Sequence, residues 1–220
     1  MLSLRLADLG RPPTVLCIGA HCDDIEIGCG ATLVRWAREY PSMQLVWAIF
    51  SRDPQREQES RAAASRLTGT RPTGGSVCQL RFFDFRDRFF PSQAESIKDA
   101  FDELRAEVQP DVVFTHHLAD RHQDHELLGK LTWNTFRAHL VLEYEIPKYE
   151  GDLGHPNVYV PHTAEDLDRK VTCLLDCFAS QRSRAWFTAD TFRAMARLRG
   201  IESGAPSGFA EAFHGRKICL

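Results

Sequence analysis

Early in the chain a histidine, a cysteine and two adjacent aspartates stand together, His21-Cys22-Asp23-Asp24. A second polar knot comes much later, with His116-His117 followed by Asp120-Arg121-His122-Gln123-Asp124-His125. An imidazole with a carboxylate close by is the start of a divalent transition-metal site. Cys22 adds a soft donor or an oxidation site to the first knot. Asp120, His116 and His117 also read simply as polar residues satisfied at the end of a strand.

Both knots follow short apolar runs, Val15-Leu16-Cys17-Ile18 and Val112-Val113-Phe114, and both lead into helical patterns. These are buried strands that release polar residues at their carboxyl ends, where open α/β sheets bind ligands. Leu33, Trp36, Ala37 and Tyr40 recur at helical spacing, and the run Gln44–Ser51 has strand length. The pattern continues with a polar, Ala-rich helix over Arg52–Gly69, a strand over Ser76–Phe83 and a loop over Asp84–Pro91. A helix marked by Ile97, Phe101, Leu104 and Val108, a strand over Asp111–His117 and a helix over Glu126–Arg137 complete it. Four strand-helix cycles predict an α/β fold, a Rossmann-like three-layer sandwich with a mainly parallel sheet, as one domain over residues 1–220. His139–Ile146 is a fifth strand, whose period places Glu143 and Glu145 on one face. Residues 147–161 read as a loop. Thr163 then caps a helix carrying Leu167, Val171 and Leu174, with Asp166 three residues on. Ala185–Leu198 forms another helix, and a loop from Gly204 to Gly208 precedes Phe209–Phe213 and a basic end.

The two knots resemble the signatures of the LmbE-like, or GlcNAc-phosphatidylinositol de-N-acetylase (PIG-L), family, a His-Pro-Asp-Asp loop and a later His-Pro-Asp-His loop. The resemblance implies that His21, Asp24 and His125 hold a catalytic metal, Zn2+ or alternatively Fe2+ or another divalent ion. Two imidazoles and one carboxylate leave a coordination position for water. It implies Asp23 as the general base, which takes a proton from the attacking water and passes it to the leaving amine. It implies His122 as an imidazolium that stabilises the oxyanion. Asp124 would orient a ligand or a helix terminus from behind. Arg56, in an Arg-x-x-Glu pattern with Glu59, and Asp87, in Arg81–Asp87, are expected to meet the sugar, and Glu145 joins them as a substrate contact. Ser180-Gln181 and Ala210–Phe213 resemble late family motifs. Cys22 and Gln123 stand where the family usually has proline, so the rigidity of both loops is open. The implied activity is hydrolysis of the acetamide of a small-molecule N-acetyl amino sugar.

A formal charge of −3 and the lack of a long basic run give no case for nucleic acid. No apolar segment is long enough to span a membrane, and the N-terminus lacks a signal-peptide core, so a cytoplasmic location is expected. A homo-oligomer is left open. The seven cysteines are odd in number and sit mostly in apolar runs, which favours free thiols; Cys173 and Cys177 share a helix face as core residues. Two other readings compete. The ligand types alone also fit a non-haem Fe(II) oxygenase, and the fold could serve a catalytically silent sugar-binding protein. A dinucleotide-binding enzyme is disfavoured, since Gly28-Cys29-Gly30-Ala31-Thr32-Leu33 does not complete Gly-x-Gly-x-x-Gly.

Overall fold

The structure is a computed structural model that describes residues 6–69 and 77–218. Ser76, the predicted start of the third strand, and Cys219 lie outside the described residues. Among those residues the strands are β1 Thr14–Gly19, β2 Gln44–Ser51, β3 Cys78–Phe85, β4 Val112–His116, β5 Leu140–Tyr144, β6 Val158–Pro161 and β7 Ala210–Gly215. The helices are α1 Asp24–Glu39, α2 Pro54–Thr68, α3 Ala94–Glu107, α4 Gln123–Thr135, α5 Ala164–Cys177 and α6 Ala189–Ser203.

The strands form one sheet in the order β3-β2-β1-β4-β5-β7-β6. β1 to β5 run parallel, and β7 pairs antiparallel with both β5 and β6. The central strands are apolar on both sides, as a sheet covered on both faces requires. In β1, Val15 and Cys17 face the layer of α1, α2, α5 and α6, whereas Leu16 and Ile18 face α3 and α4. This is the mainly parallel three-layer α/β sandwich that the strand-helix alternation predicts.

The sheet order fixes where chemistry can happen. From β1 the chain turns to β2 on one side, while β4 lies on the other, with Val15 opposite Val112 and Cys17 opposite Phe114. The crevice at this topological switch point opens at the strands' carboxyl ends. Both polar knots emerge there, which is why segments so distant in sequence meet.

The differences from the sequence reading are local. β6 and β7 add an antiparallel edge to the five parallel strands, and β6 occupies the end of the stretch read as a loop. α4 begins at Gln123, so His125 lies in its first turn rather than in a loop. α1 begins at Asp24, before the glycines, and is broken at Cys29, whose φ of −140° is not helical. The Thr163 cap of α5 is present as a full capping box with Asp166.

Candidate metal centre

The turn after β1 carries three functional side chains in four residues. His21 and Asp24 bracket it, and the amide of His21 donates to Asp24 Oδ2 at 2.7 Å. Asp23, the N-cap of α1, adopts φ 108°, a left-handed conformation disfavoured for a side-chain-bearing residue. Its carboxylate makes no cap bond. It turns instead to Arg56 of α2, whose Nη2 donates to Asp23 Oδ1 at 2.8 Å and also to the carbonyl of Cys22.

Across the switch point, His125 completes a triangle. His21 Nδ1 lies 3.2 Å from His125 Nε2 and 3.4 Å from Asp24 Oδ2, and His125 Nε2 lies 3.5 Å from the same oxygen. Donor atoms bound tetrahedrally to one zinc stand about 3.4 Å apart, so this triangle has the dimensions of three ligands around one ion. The far nitrogens of both rings are also engaged. His125 Nδ1 meets Asp120 Oδ2 at 2.9 Å, and His21 Nε2 meets Asp87 Oδ1 at 3.0 Å and Asp124 Oδ2 at 3.3 Å. Carboxylates beside the outer nitrogens favour protons there, the tautomer in which the inner nitrogens could be given to a metal. All three donors are nearly buried.

His122 contributes a further ring, with a nitrogen within 4.8 Å of those of His21 and His125. His116, at the end of β4, is a further neighbour. It is fully buried, stacks on His125 at 3.9 Å, and its Nε2 lies 3.3 Å from Asp24 Oδ2. That nitrogen accepts from the Ala20 amide at 2.9 Å, so its lone pair is already used. Tyr144 lies against it, with its hydroxyl donating to the Ile18 carbonyl at 2.6 Å.

The electrostatics separate two adjacent carboxylates into different roles. Burial pushes Asp23 upward, the Asp24 charge adds to this, and Arg56 only partly offsets them, so its pKa reaches about 7. Burial acts on Asp24 in the same direction but is outweighed by His125, His116 and His21, which hold it well below the ordinary range. Environments that push paired carboxylates apart are the mark of divided acid-base roles. Burial works against a proton on His21, yet Asp24, Asp124 and Asp87 together outweigh it and raise its pKa. Burial and neighbouring His21 lower that of His122.

The remaining sequence candidates are placed as follows. Asp124 is fully buried and accepts from Arg88 N at 2.6 Å and Phe90 N at 3.1 Å, so it fastens the loop after β3 to the centre as well as facing His21. Gln123, in place of the family's proline, donates to the Arg88 carbonyl and fastens the same loop. Asp87 rides on that loop with its side chain 46% exposed. Arg56 lies beside Asp23. Glu145 lies outside this cluster, and Arg199 holds both its oxygens at 2.8 and 3.0 Å. Glu143 is fully buried and binds His117, Leu118 N and Trp133. Glu59 anchors Ser180 through its amide and hydroxyl, which joins two of the family-like motifs structurally. Cys22 is buried and its thiol is pushed up by its surroundings, burial foremost. Cys173 and Cys177 are free thiols, with their sulfurs 3.9 Å apart. Sequence types pointed to His116 and Asp120, but their orientation came only with the sheet.

An α/β sandwich with a His-Asp-His triangle at its switch point, and Asp23 held by Arg56 next to it in sequence, offers a site that could hold a divalent metal. A family model described as GlcNAc-PI de-N-acetylase, PIG-L, matches residues 16–136, and this chain belongs to that LmbE-like family. It is 32% identical over 155 residues to the uncharacterized deacetylase YaiS of Escherichia coli (strain K12), an alignment covering 66% of this chain and 80% of that one. Among solved structures it is similar to the N,N'-diacetylchitobiose deacetylase from Pyrococcus horikoshii, with a TM-score of 0.69 and 20% identity over 96% of this chain and 86% of that one. The 4-carboxy-2-hydroxymuconate hydratase GalB from Pseudomonas putida KT2440 has a TM-score of 0.75 and 18% identity, over 94% of this chain and 98% of that one. At these identities the structural likenesses establish the fold, and the hydratase shows that this fold does not by itself dictate deacetylation. No helix among the described residues is long and apolar enough to cross a membrane.

Proposed function

We propose that this protein is a divalent-metal-dependent N-deacetylase that hydrolyses the acetamide of an N-acetylated amino sugar, free or within a glycoconjugate. The observation that carries this reading is the ligand-sized triangle of His21 Nδ1, Asp24 Oδ2 and His125 Nε2 with Asp23 fixed next to it. A zinc ion held there would polarise the amide carbonyl and lower the pKa of water.

The chain's own residues supply the rest. Arg56 holds Asp23 Oδ1 and so leaves Oδ2 to take a proton from the attacking water. A group with a pKa near 7 can accept that proton and then return it to the departing amine as the C–N bond breaks. Water's oxygen ends in acetate and its proton on the amine. His122, held towards its neutral form by burial and His21 rather than as the imidazolium the resemblance implies, offers a ring N–H to the developing oxyanion. Arg56 and the half-exposed Asp87 are the side chains assigned to the sugar hydroxyls. Glu145, paired with Arg199, is assigned to the wall of the substrate site. Kinship with YaiS and with the PIG-L family supports the acetamide as the scissile group. The placement of Asp23 favours hydrolysis over an Fe(II) oxygenase, in which this carboxylate has no role.

The test is acetate release from a panel of N-acetylhexosamine compounds by zinc-loaded wild type and Asp23→Ala. Wild-type release that falls ~100-fold in the variant is the expected result. Silence of the wild type across the panel, with metal bound, would overturn the amino-sugar assignment.

A further inference from the structure

Lys148 is a lysine whose side chain is largely withdrawn from solvent, with no part in the chemistry above. Its side chain is 9% exposed, and lysine is seldom buried without partners. Its ammonium donates to Asp120 Oδ2 at 2.9 Å and to Asp152 Oδ1 at 2.8 Å, with the Ile146 carbonyl at 3.4 Å. Asp120 Oδ2 is the same oxygen that meets His125 Nδ1, and Asp120 Oδ1 accepts from the amide of His122. Asp152 in turn accepts from the amide of Arg121 at 2.8 Å. Because Asp120 and Arg121 are neighbours, these bonds close a ring through Lys148 that ties Lys148 and Asp152 to the Asp120–Arg121 stretch just before α4.

We propose that Lys148 is a positioning residue of the metal centre, acting on His125 through Asp120. An ammonium shared between two carboxylates fixes Asp120 so that its Oδ2 stays on His125 Nδ1 and directs Nε2 into the ligand triangle. Partners that orient a ligating histidine from behind commonly contribute 10- to 100-fold in metal affinity. A ring that merely secured Lys148 and Asp152 would influence stability and leave metal binding untouched. The inference rests on the metal-centre reading above, and its test separates the two.

Zinc affinity is measured by competition with a chromophoric chelator, and coordination by the visible absorption of Co2+-loaded protein, for wild type, Lys148→Met, Asp120→Asn and the double variant. Lys148→Met is expected to bind zinc about tenfold more weakly and to show an altered Co2+ band. If Lys148 acts through Asp120, the double variant should bind no more weakly than Asp120→Asn alone. Unchanged zinc affinity in Lys148→Met, or losses that add in the double variant, would overturn the proposal. Should melting show Lys148→Met unfolded, Lys148→Arg replaces it in the same cycle. It keeps the charge but changes the donor geometry, and its smaller loss must likewise vanish in the Asp120→Asn background. A wild type that binds neither ion would instead remove the metal-centre reading itself.

Discussion

Asp23 concentrates the cost of the site in one residue. Its φ of 108° is a strained backbone conformation, and such strain is typically worth about 1–3 kcal/mol. Arg56 and the turn between β1 and α1 sustain it, because this conformation turns the carboxylate away from a capping position and onto the Arg56 guanidinium. Glycine adopts such a φ freely and alanine does not. Asp23→Gly and Asp23→Ala both lack the carboxylate and should be equally inactive, yet Asp23→Gly should be more stable by about 1 kcal/mol. Denaturant midpoints of the two variants check this; equal midpoints would mean that the turn relaxes. The two polar knots were legible from type and clustering, whereas the assignment of His21, Asp24 and His125 as a ligand set came only from the family resemblance. The division between His116 and His117 was harder to read, although consecutive strand residues face opposite sides and so must separate. His116 enters the centre and His117 pairs with Glu143. Period two could have made that separation, but not which histidine faced inward.

At the scale of elements, α1 is built around a break. Around Cys29 the helical hydrogen bonding is interrupted, and the freed groups are taken up by two distant side chains. The amides of Ala31 and Thr32 donate to the Glu211 carboxylate at 3.0 and 2.7 Å, and Lys170 donates to the Ile27 carbonyl at 2.5 Å. Gly28 lies at the same place for a steric reason. A Cβ there would stand 2.3 Å from Cδ2 of Tyr144, the ring that packs against His116. Gly28→Ala should therefore destabilise the protein by about 1–3 kcal/mol and, on the proposed metal reading, weaken zinc binding by displacing Tyr144 and His116. A thermal melt and a zinc titration read the two effects; an undisturbed melt would show that Tyr144 can move aside without loss. The two glycines were visible in the sequence, but as a helix opening rather than an interruption. Apolar runs made β1, β2 and β4 legible, and β2 was delimited to the residue. β7 escaped as a strand because its buried Glu211 breaks the expected apolar pattern, and β6 because its four residues are all half-buried and end in proline.

For the molecule as a whole, the part beyond the family match at residue 136 braces the part that carries the His-Asp-His triangle. Glu211 shows how. From β7 it reaches α1 through two amides and α5 through Lys170 at 2.6 Å, so one carboxylate joins the antiparallel edge of the sheet to two helices. Burial opposes its charge, but Lys170, His162 and the Thr32 contact outweigh burial and lower its pKa. A carboxylate whose pKa is lower folded than unfolded contributes stability that is complete above the unfolded value, about 4.3 for glutamate. That stability is lost as pH falls through the folded value. Glu143, Glu145 and Asp166 are shifted in the same direction, each against burial, by His117, by His214 with Arg199, and by Arg38. The share of the urea midpoint contributed by these four carboxylates should consequently hold steady from neutral pH down to about pH 5 and be lost below it. Glu211→Gln should cost about 3–5 kcal/mol at neutral pH, because it leaves the Lys170 ammonium buried without its counter-charge. Its acid limb should be shallower than that of wild type, since one of the groups driving it is gone. Parallel acid limbs would place the acid sensitivity in the remaining down-shifted carboxylates, and a neutral-pH loss below about 1 kcal/mol would show that β7 and α1 stay joined without this charge.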